Sequence, residues 1–332
     1  MKYLVTSAPH LRSKTKTGTI MRDVMIALLP ALAAGILRFG LRALVITAVS
    51  VAAALVGELI CDKLIYHRNT LPDLSWAVTG MLLALAIPVS VPYWLVAVGS
   101  LFAVIVVKGF CGGIGKNIFN PALAARAFML FFWPVYLVRF PAAIPSGAEG
   151  VDAAAGPTVQ VGVDMLTGAT PLHHMQIPAL PEISLQDMFL GKIDGSMGEI
   201  CTLALLIGGA YLLVKRVISW RIPVAYLGSV AIVTLIFYKG EDPVMWMLYS
   251  LLGGGVVLAA FFMATDYSSS PVTPIAQLIY GAGCGILTVI FRYYGLFPEG
   301  VTYAILLMNA VVWALDYYTA PRRFGTKKGG NS

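Results

Sequence analysis

The residues best placed to do chemistry are Asp164-Met-Leu-Thr-Gly-Ala-Thr170-Pro-Leu. A run of Asp, Thr, Gly, Ala, Thr and Pro favours a tight turn that presents one hydroxyl to a partner. Thr170 is that hydroxyl, with Asp164, Thr167, Gly168 and Ala169 shaping the turn. So displayed, it suits attachment of a phosphate-linked group, of which a covalently held flavin is one example. An ordinary surface turn has the same composition, so the tetrapeptide alone leaves both readings open. His173 and His174 follow and could touch a bound phosphate or simply face solvent.

A second polar region reads Gly109-Phe-Cys-Gly-Gly-Ile-Gly-Lys-Asn117-Ile-Phe-Asn120-Pro-Ala-Leu-Ala-Ala-Arg126. Its glycines permit close backbone approach to a ligand. Asn117 and Asn120 are spaced to share a helix face, and their amides suit the donor–acceptor edge of a heterocycle. Asn120 ahead of Pro121 is equally a helix cap. Asp266, in Phe-Met-Ala-Thr-Asp, ends a later apolar run, expected on the same side of the membrane as the two amides. One pocket could therefore use all three. Glu58, Arg126 and Asp316 lie at or near bilayer depth, where ionisable groups are costly and often functional. They are the ion-path candidates, with snorkelling to the interface the rival account for Glu58 and Asp316. Arg126, about eight residues into its run and so roughly 12 Å deep, requires a partner.

The elements that must position these groups are membrane helices. The chain has 332 residues, 58% hydrophobic and 12% charged, and a mean hydropathy of +0.82, too apolar for a soluble surface. Runs long enough to span, at about 20 residues each, lie near 23–40, 43–61, 75–90, 93–107, 118–138, 197–214, 222–238, 244–263, 274–291 and 301–318. The expected fold is all-α and polytopic, with ten spans. A cytoplasmic segment 1–22 has no apolar core and is no cleavable signal peptide. A half at 23–138, a loop at 139–196 bearing Thr170, a second half at 197–318 and a basic tail at 319–332 complete the plan. With both termini inside, 16 of the 23 Lys and Arg residues fall on the cytoplasmic side, six fall outside and Arg126 is in a span. That bias puts the long loop outside. Five spans on either side of it force the halves into opposite orientations, an inverted repeat. Asn120 in the fifth span and Asn309 in the tenth add weak support.

Several classes drop out. No basic stretch interleaved with aromatics supports nucleic-acid binding, and no GxSxG, Walker or GxGxxG element stands in a usable context. Cys61, Cys111, Cys201 and Cys284 form no CxxC pair, which argues against an internal zinc or iron–sulfur site. A ten-helix transporter or channel remains an alternative on architecture alone.

Asp164-x-x-Thr167-Gly-Ala-Thr170 resembles the flavinylation motif on which flavin transferases place FMN as a phosphoester. Lys116-Asn-Ile-Phe-Asn-Pro-Ala-Leu-Ala-Ala-Arg-Ala-Phe128, Phe262-Met-Ala-Thr-Asp266 and Asp316-Tyr-Tyr-Thr-x-Pro-Arg322 resemble stretches of the NqrB/RnfD family, in the family's order. The short N-terminal extension and Thr-Gly-Ala-Thr-Pro-Leu are more similar to its Rnf branch than to the sodium-pumping NADH:quinone reductase branch. The resemblance implies a subunit of an ion-translocating ferredoxin:NAD+ oxidoreductase in a prokaryotic inner membrane. It implies covalent FMN on Thr170 outside and a noncovalent riboflavin near Asn117, Asn120 and Asp266 inside. It also implies other membrane and peripheral subunits, including iron–sulfur and second flavin subunits, and a flavin transferase for maturation. Gly80 matches a segment tied to quinone binding in the quinone-reductase branch.

Overall fold

A computed structural model describes residues 16–67, 69–138, 184–191, 195–240, 242–295 and 300–321. Thr170, Asp164, Thr167, Gly168, Ala169, His173 and His174 lie outside these residues. The described part is helical, without strand. Besides the short helices Pro134–Val138 and Leu185–Leu190, the helices in chain order are α1 (Thr17–Phe39), α2 (Leu41–Cys61), α3 (Ser75–Ala86), α4 (Tyr93–Leu101), α5 (Pro121–Phe132), α6 (Thr202–Val214), α7 (Arg221–Ile236), α8 (Pro243–Leu252), α9 (Val256–Leu258), α10 (Pro274–Tyr294) and α11 (Val301–Thr319). Wider π turns extend α2 through Asp62–Tyr66, α4 through Phe102–Gly109 and α9 through Ala259–Met263.

Every expected run contains helix, yet their lengths differ from expectation. Among the described residues four helices are long and apolar enough to cross a membrane, and a fifth if α8 and α9, bent by 60°, are one span. Five more are apolar but only 10–17 residues long. Local chemistry explains the shortening. The run at 75–90 stops being helical at Ala86, ahead of Pro88, because the residue before a proline is pushed out of the helical region. The run at 244–263 breaks at Gly253-Gly-Gly255, where Gly254 and Gly255 adopt φ of 63° and 67°, a conformation open to glycine without strain.

Helix starts follow a repeated device of a polar cap followed by proline. Asn120 Oδ1 accepts from the Ala122 and Leu123 amides at 3.0 and 3.3 Å. Asp242 Oδ1 does the same for Val244 and Met245, and Thr273 Oγ1 for Ala276. Each proline sits at the first helical position, where its missing N–H costs nothing.

Helices close in the chain pack on one another. In the first half α2 packs on α3 and α4, and the π-turn end of α4 packs on α5; in the second half α7 packs on α8 and α10, and α10 on α11. The halves meet through α1 on α6 and α5 on α11. Small residues set these approaches. A Cβ at Gly208 of α6 would stand 2.0 Å from the Ala27 carbonyl oxygen of α1. Gly80 lies against the backbone of Val51, where a Cβ would be 2.8 Å from its Cα, and its carbonyl accepts from Ser50 Oγ at 2.7 Å. Close α2–α3 packing thus requires a glycine here.

Candidate functional site

A small cleft gathers side chains from four parts of the chain. Ser75 and Thr79 come from α3, Lys108 from the end of α4's extension, Asn117 and Asn120 from the glycine-rich loop before α5, and Asp266 from the segment after α9. Asn117, Asn120 and Asp266 are therefore brought together in one cleft. The loop can turn this tightly because Gly112, Gly113 and Gly115 have φ of 97°, 98° and 85°. Free space in the cleft is about 40 Å³, room for a few waters; a ring system would enter only if lining side chains moved.

The two amides play different parts. Asn120 is spent on structure: besides capping α5 it donates from Nδ2 to the Met263 carbonyl at 3.0 Å, tying α5 to the end of α9's extension. Asn309, with its amide turned to satisfy its neighbours, accepts from the Asn120 N–H at 3.1 Å and donates to Tyr280 Oη and the Ser269 carbonyl. Asn117 donates to the Phe119 carbonyl at 3.2 Å, but its Oδ1 is buried with no partner. A buried acceptor left this way costs about 1–3 kcal/mol, which a donor in the cleft would recover. The Asp266 carboxylate accepts from Ser268 Oγ and Ser269 Oγ at 3.1 and 2.9 Å. Burial nevertheless pushes its carboxyl above the ordinary carboxylate range, outweighing those hydrogen bonds.

Lys108 joins the cleft to a charged network whose other half, Glu58, lies 50 positions away in the sequence. Its Nζ donates to both Glu58 oxygens at 2.7 Å and to Ser75 Oγ at 2.6 Å, filling all three N–H positions. Glu58 is fully buried, so it does not snorkel. Thr70 Oγ1 contacts Glu58 Oε1 and lies 2.5 Å from Asp62 Oδ1, while the Thr70 N–H donates to Asp62 Oδ2 at 2.8 Å.

Arg126 finds the partner its depth demands. Its Nη1 donates to Thr302 Oγ1 at 3.1 Å, and Nη2 stands 3.9 Å from Glu199 Oε1. Glu199 was missed because it sits just inside the run starting at 197, where it reads as the edge of a span. Arg292, also buried, donates to the carbonyls of Ser250, Gly253 and Gly254, satisfying the end of α8 where the glycine break leaves it open. Asp316 accepts from the amides of Val272 and Thr273, and so orders the approach to α10. Among the described residues all four cysteines are free, and no group of three or more His, Cys, Asp or Glu is arranged to hold a metal ion.

Among the described residues these features are those of a helical protein with several apolar spans, buried paired charges and a polar cleft, and comparison with known proteins gives its family. The chain belongs to the NQR2, RnfD, RnfE family, which matches residues 4–325. It is 45% identical to the D subunit of the Na+-translocating ferredoxin:NAD+ oxidoreductase complex of Acetobacterium woodii, over 98% of this chain and 96% of that one. It is 37% identical to the D subunit of the proton-translocating complex of Clostridium ljungdahlii, over 98% and 97%. It is 34% identical to the D subunit of an ion-translocating oxidoreductase complex of Halorhodospira halophila, over 98% and 96%.

Proposed function

We propose that this chain is the flavin-carrying D subunit of an ion-translocating ferredoxin:NAD+ oxidoreductase in a prokaryotic cell membrane. The observation that carries this reading is near-full-length similarity to D subunits of such complexes. Ten spans in two inverted halves, with both termini cytoplasmic, fit the packing of α2–α4 and α7–α10 and the charge bias of the loops.

Thr170 is the FMN anchor on the outer side, with Asp164, Thr167, Gly168 and Ala169 forming the segment that a flavin transferase reads. A second flavin, riboflavin, is assigned to the inner cleft, which must open beyond its present free space of about 40 Å³ to admit it; the unpartnered Asn117 Oδ1 supports this assignment because it would accept the hydrogen bond that a ring N–H donates. Asn120 holds the cleft's shape, and Asp266 supplies a carboxyl whose charge is suppressed by burial. A flavin supplies one- and two-electron exchange there, and the protein contributes position and polarity. Iron–sulfur and further flavin subunits deliver and collect the electrons. The relatives divide between Na+ and proton, and the carboxylates of Glu58 and Asp316 with Arg126 are this chain's candidates for contact with the ion.

The test is ferredoxin-driven NAD+ reduction coupled to ion uptake in membrane vesicles. Vesicles lacking this chain lose both, and restoring it recovers both. Recovery of turnover with a quinone in place of NAD+ would move the chain to the quinone-reductase branch, and solute uptake by the isolated chain without flavin would make it a transporter.

A further inference from the structure

The short connection between α6 and α7 carries three cations that no carboxylate answers. Lys215 and Arg216 are exposed and Arg221 is half-buried, and among the described residues none of the three forms an ion pair. The backbone beneath them is strained. Helix α6 ends in a closed turn, in which the Val217 N–H donates to the Leu212 carbonyl at 2.9 Å and the Arg216 N–H to the Leu213 carbonyl at 3.0 Å. That pair of bonds needs a left-handed residue at position 216, where glycine is the common occupant. Arg216 holds the place with φ of 56°, which crowds its Cβ against the following carbonyl. Its guanidinium returns no hydrogen bond within the described structure to offset that strain, and strain kept in this way points to a use outside the fold.

The connection is also held in one shape. Tyr267 Oη donates to the Val217 carbonyl at 2.7 Å, and Ser219 Oγ donates to Gln277 Oε1 at 2.9 Å while accepting from the Arg221 N–H at 3.3 Å. Tyr211, whose hydroxyl donates to Asp23 at 3.1 Å, places its ring 5.6 Å from Lys215 Nζ, and the Trp220 ring lies 5.8 Å from the Arg221 guanidinium carbon. Apolar side chains stand open beside the cations: Val214, the last residue of α6, is 83% exposed, Trp220 57% and Val224, one turn into α7, 56%. Two apolar helices end here, at the level where headgroups meet acyl chains and where Trp is enriched. A soluble anion or an acidic peptide would answer the charges and leave these side chains uncovered; a phospholipid covers both. The bias of Lys and Arg toward one side of the membrane asks for cations in this connection, but not for an arginine at the position where it strains the backbone.

We propose that the α6–α7 connection binds an anionic phospholipid, its phosphate held by Lys215, Arg216 and Arg221 and its acyl chains lying along Val214 and Val224. The proposal rests on the chain lying in a membrane and is independent of which flavins it carries.

The experiment uses the purified whole complex in nanodiscs of phosphatidylglycerol and phosphatidylcholine, with one lipid or the other carrying a photoreactive acyl chain. After irradiation, lipid adducts on the segment 211–224 are quantified by mass spectrometry. In the wild type, phosphatidylglycerol adducts exceed phosphatidylcholine adducts. Removing one cation lowers that preference about fivefold, the effect of one charge beside an anionic headgroup, and Lys215→Gln, Arg216→Gly and Arg221→Gln together abolish it. Arg216→Gly is the decisive single variant because glycine relieves the backbone: its preference falls while its thermal stability in phosphatidylcholine alone is equal to or above that of the wild type. Arg216→Lys keeps most of the preference. An Arg216→Gly complex less stable than the wild type in phosphatidylcholine would give Arg216 a structural role and overturn the proposal. Equal adducts from both lipids in the wild type, adducts from neither because another subunit covers the segment, or a preference erased by inorganic phosphate but not by chloride at equal ionic strength would each overturn it as well.

Discussion

Replacing Lys108 by Met is the most informative perturbation of the fold, because the structure fixes what is lost. Glu58 is fully buried and Lys108 is 4% exposed, so neither charge has water to fall back on. The ammonium makes three hydrogen bonds, two to Glu58 and one to Ser75. Met restores most of the side-chain volume and leaves the Glu58 carboxylate facing apolar surroundings with only Thr70 as donor. Removing one partner of a buried pair costs about 3–5 kcal/mol, whereas replacing both by apolar groups of similar size is often neutral. The double variant Glu58→Met with Lys108→Met should therefore recover most of that loss, although Thr70 then forfeits one contact at about 1 kcal/mol. The assay is thermal unfolding of the detergent-solubilised complex, followed by fluorescence-detected size exclusion. Lys108→Met is expected to lower the transition by several degrees, and the double variant to sit between it and the wild type. A double variant as unstable as the sum of its two single variants would refute the reasoning, since it would mean the pair is not coupled.

Three further outcomes follow from particular contacts. Gly208→Ala should weaken assembly of the halves strongly, since its Cβ would meet the Ala27 carbonyl oxygen at 2.0 Å, whereas Gly228→Ala, with nothing within 4 Å, should be neutral or slightly stabilising; protease resistance of the folded protein compares them. Asn120→Ala removes a cap worth about 1 kcal/mol and also the bond to Met263, so it should lower thermal stability more than Ser184→Ala at the short helix Leu185–Leu190 does. Burial lifts the Asp266 carboxyl, so the folded protein keeps its proton at a pH where the unfolded chain has released it. The stability this group contributes is full below the unfolded value and is lost as pH rises through the lifted one. Asp266→Asn should then flatten the pH dependence of unfolding above the ordinary carboxylate range.

How much was legible in the sequence depends on the range of the interaction. The Asn120–Pro121 cap is a local signal, and the structure has it. Apolar run lengths and the side on which each run ends allowed one pocket to use Asn117, Asn120 and Asp266, and they do line one cleft. Glycine breaks are harder, because hydropathy averages over Gly253–Gly255 and the run at 244–263 reads as one helix. The charged network was not legible at all. Glu58 and Lys108 are 50 positions apart, and a lysine ending an apolar run looks like a topology signal until its partner is seen. Arg126 announced its need for a partner through depth, but nothing in the spacing pointed to Glu199. The link between Asn309 and Asn120 was expected only as an echo between repeats, and they are in direct contact.

The central claim is that this chain carries a flavin on one threonine, and a denaturing gel tests it most directly. The complex is produced in cells that contain the flavin transferase, and the gel is viewed under ultraviolet light before staining. The wild-type chain should appear as a fluorescent band, and Thr170→Val, at equal protein, should be dark. A dark wild-type band, or a Thr170→Val band as bright as the wild type, would contradict the account.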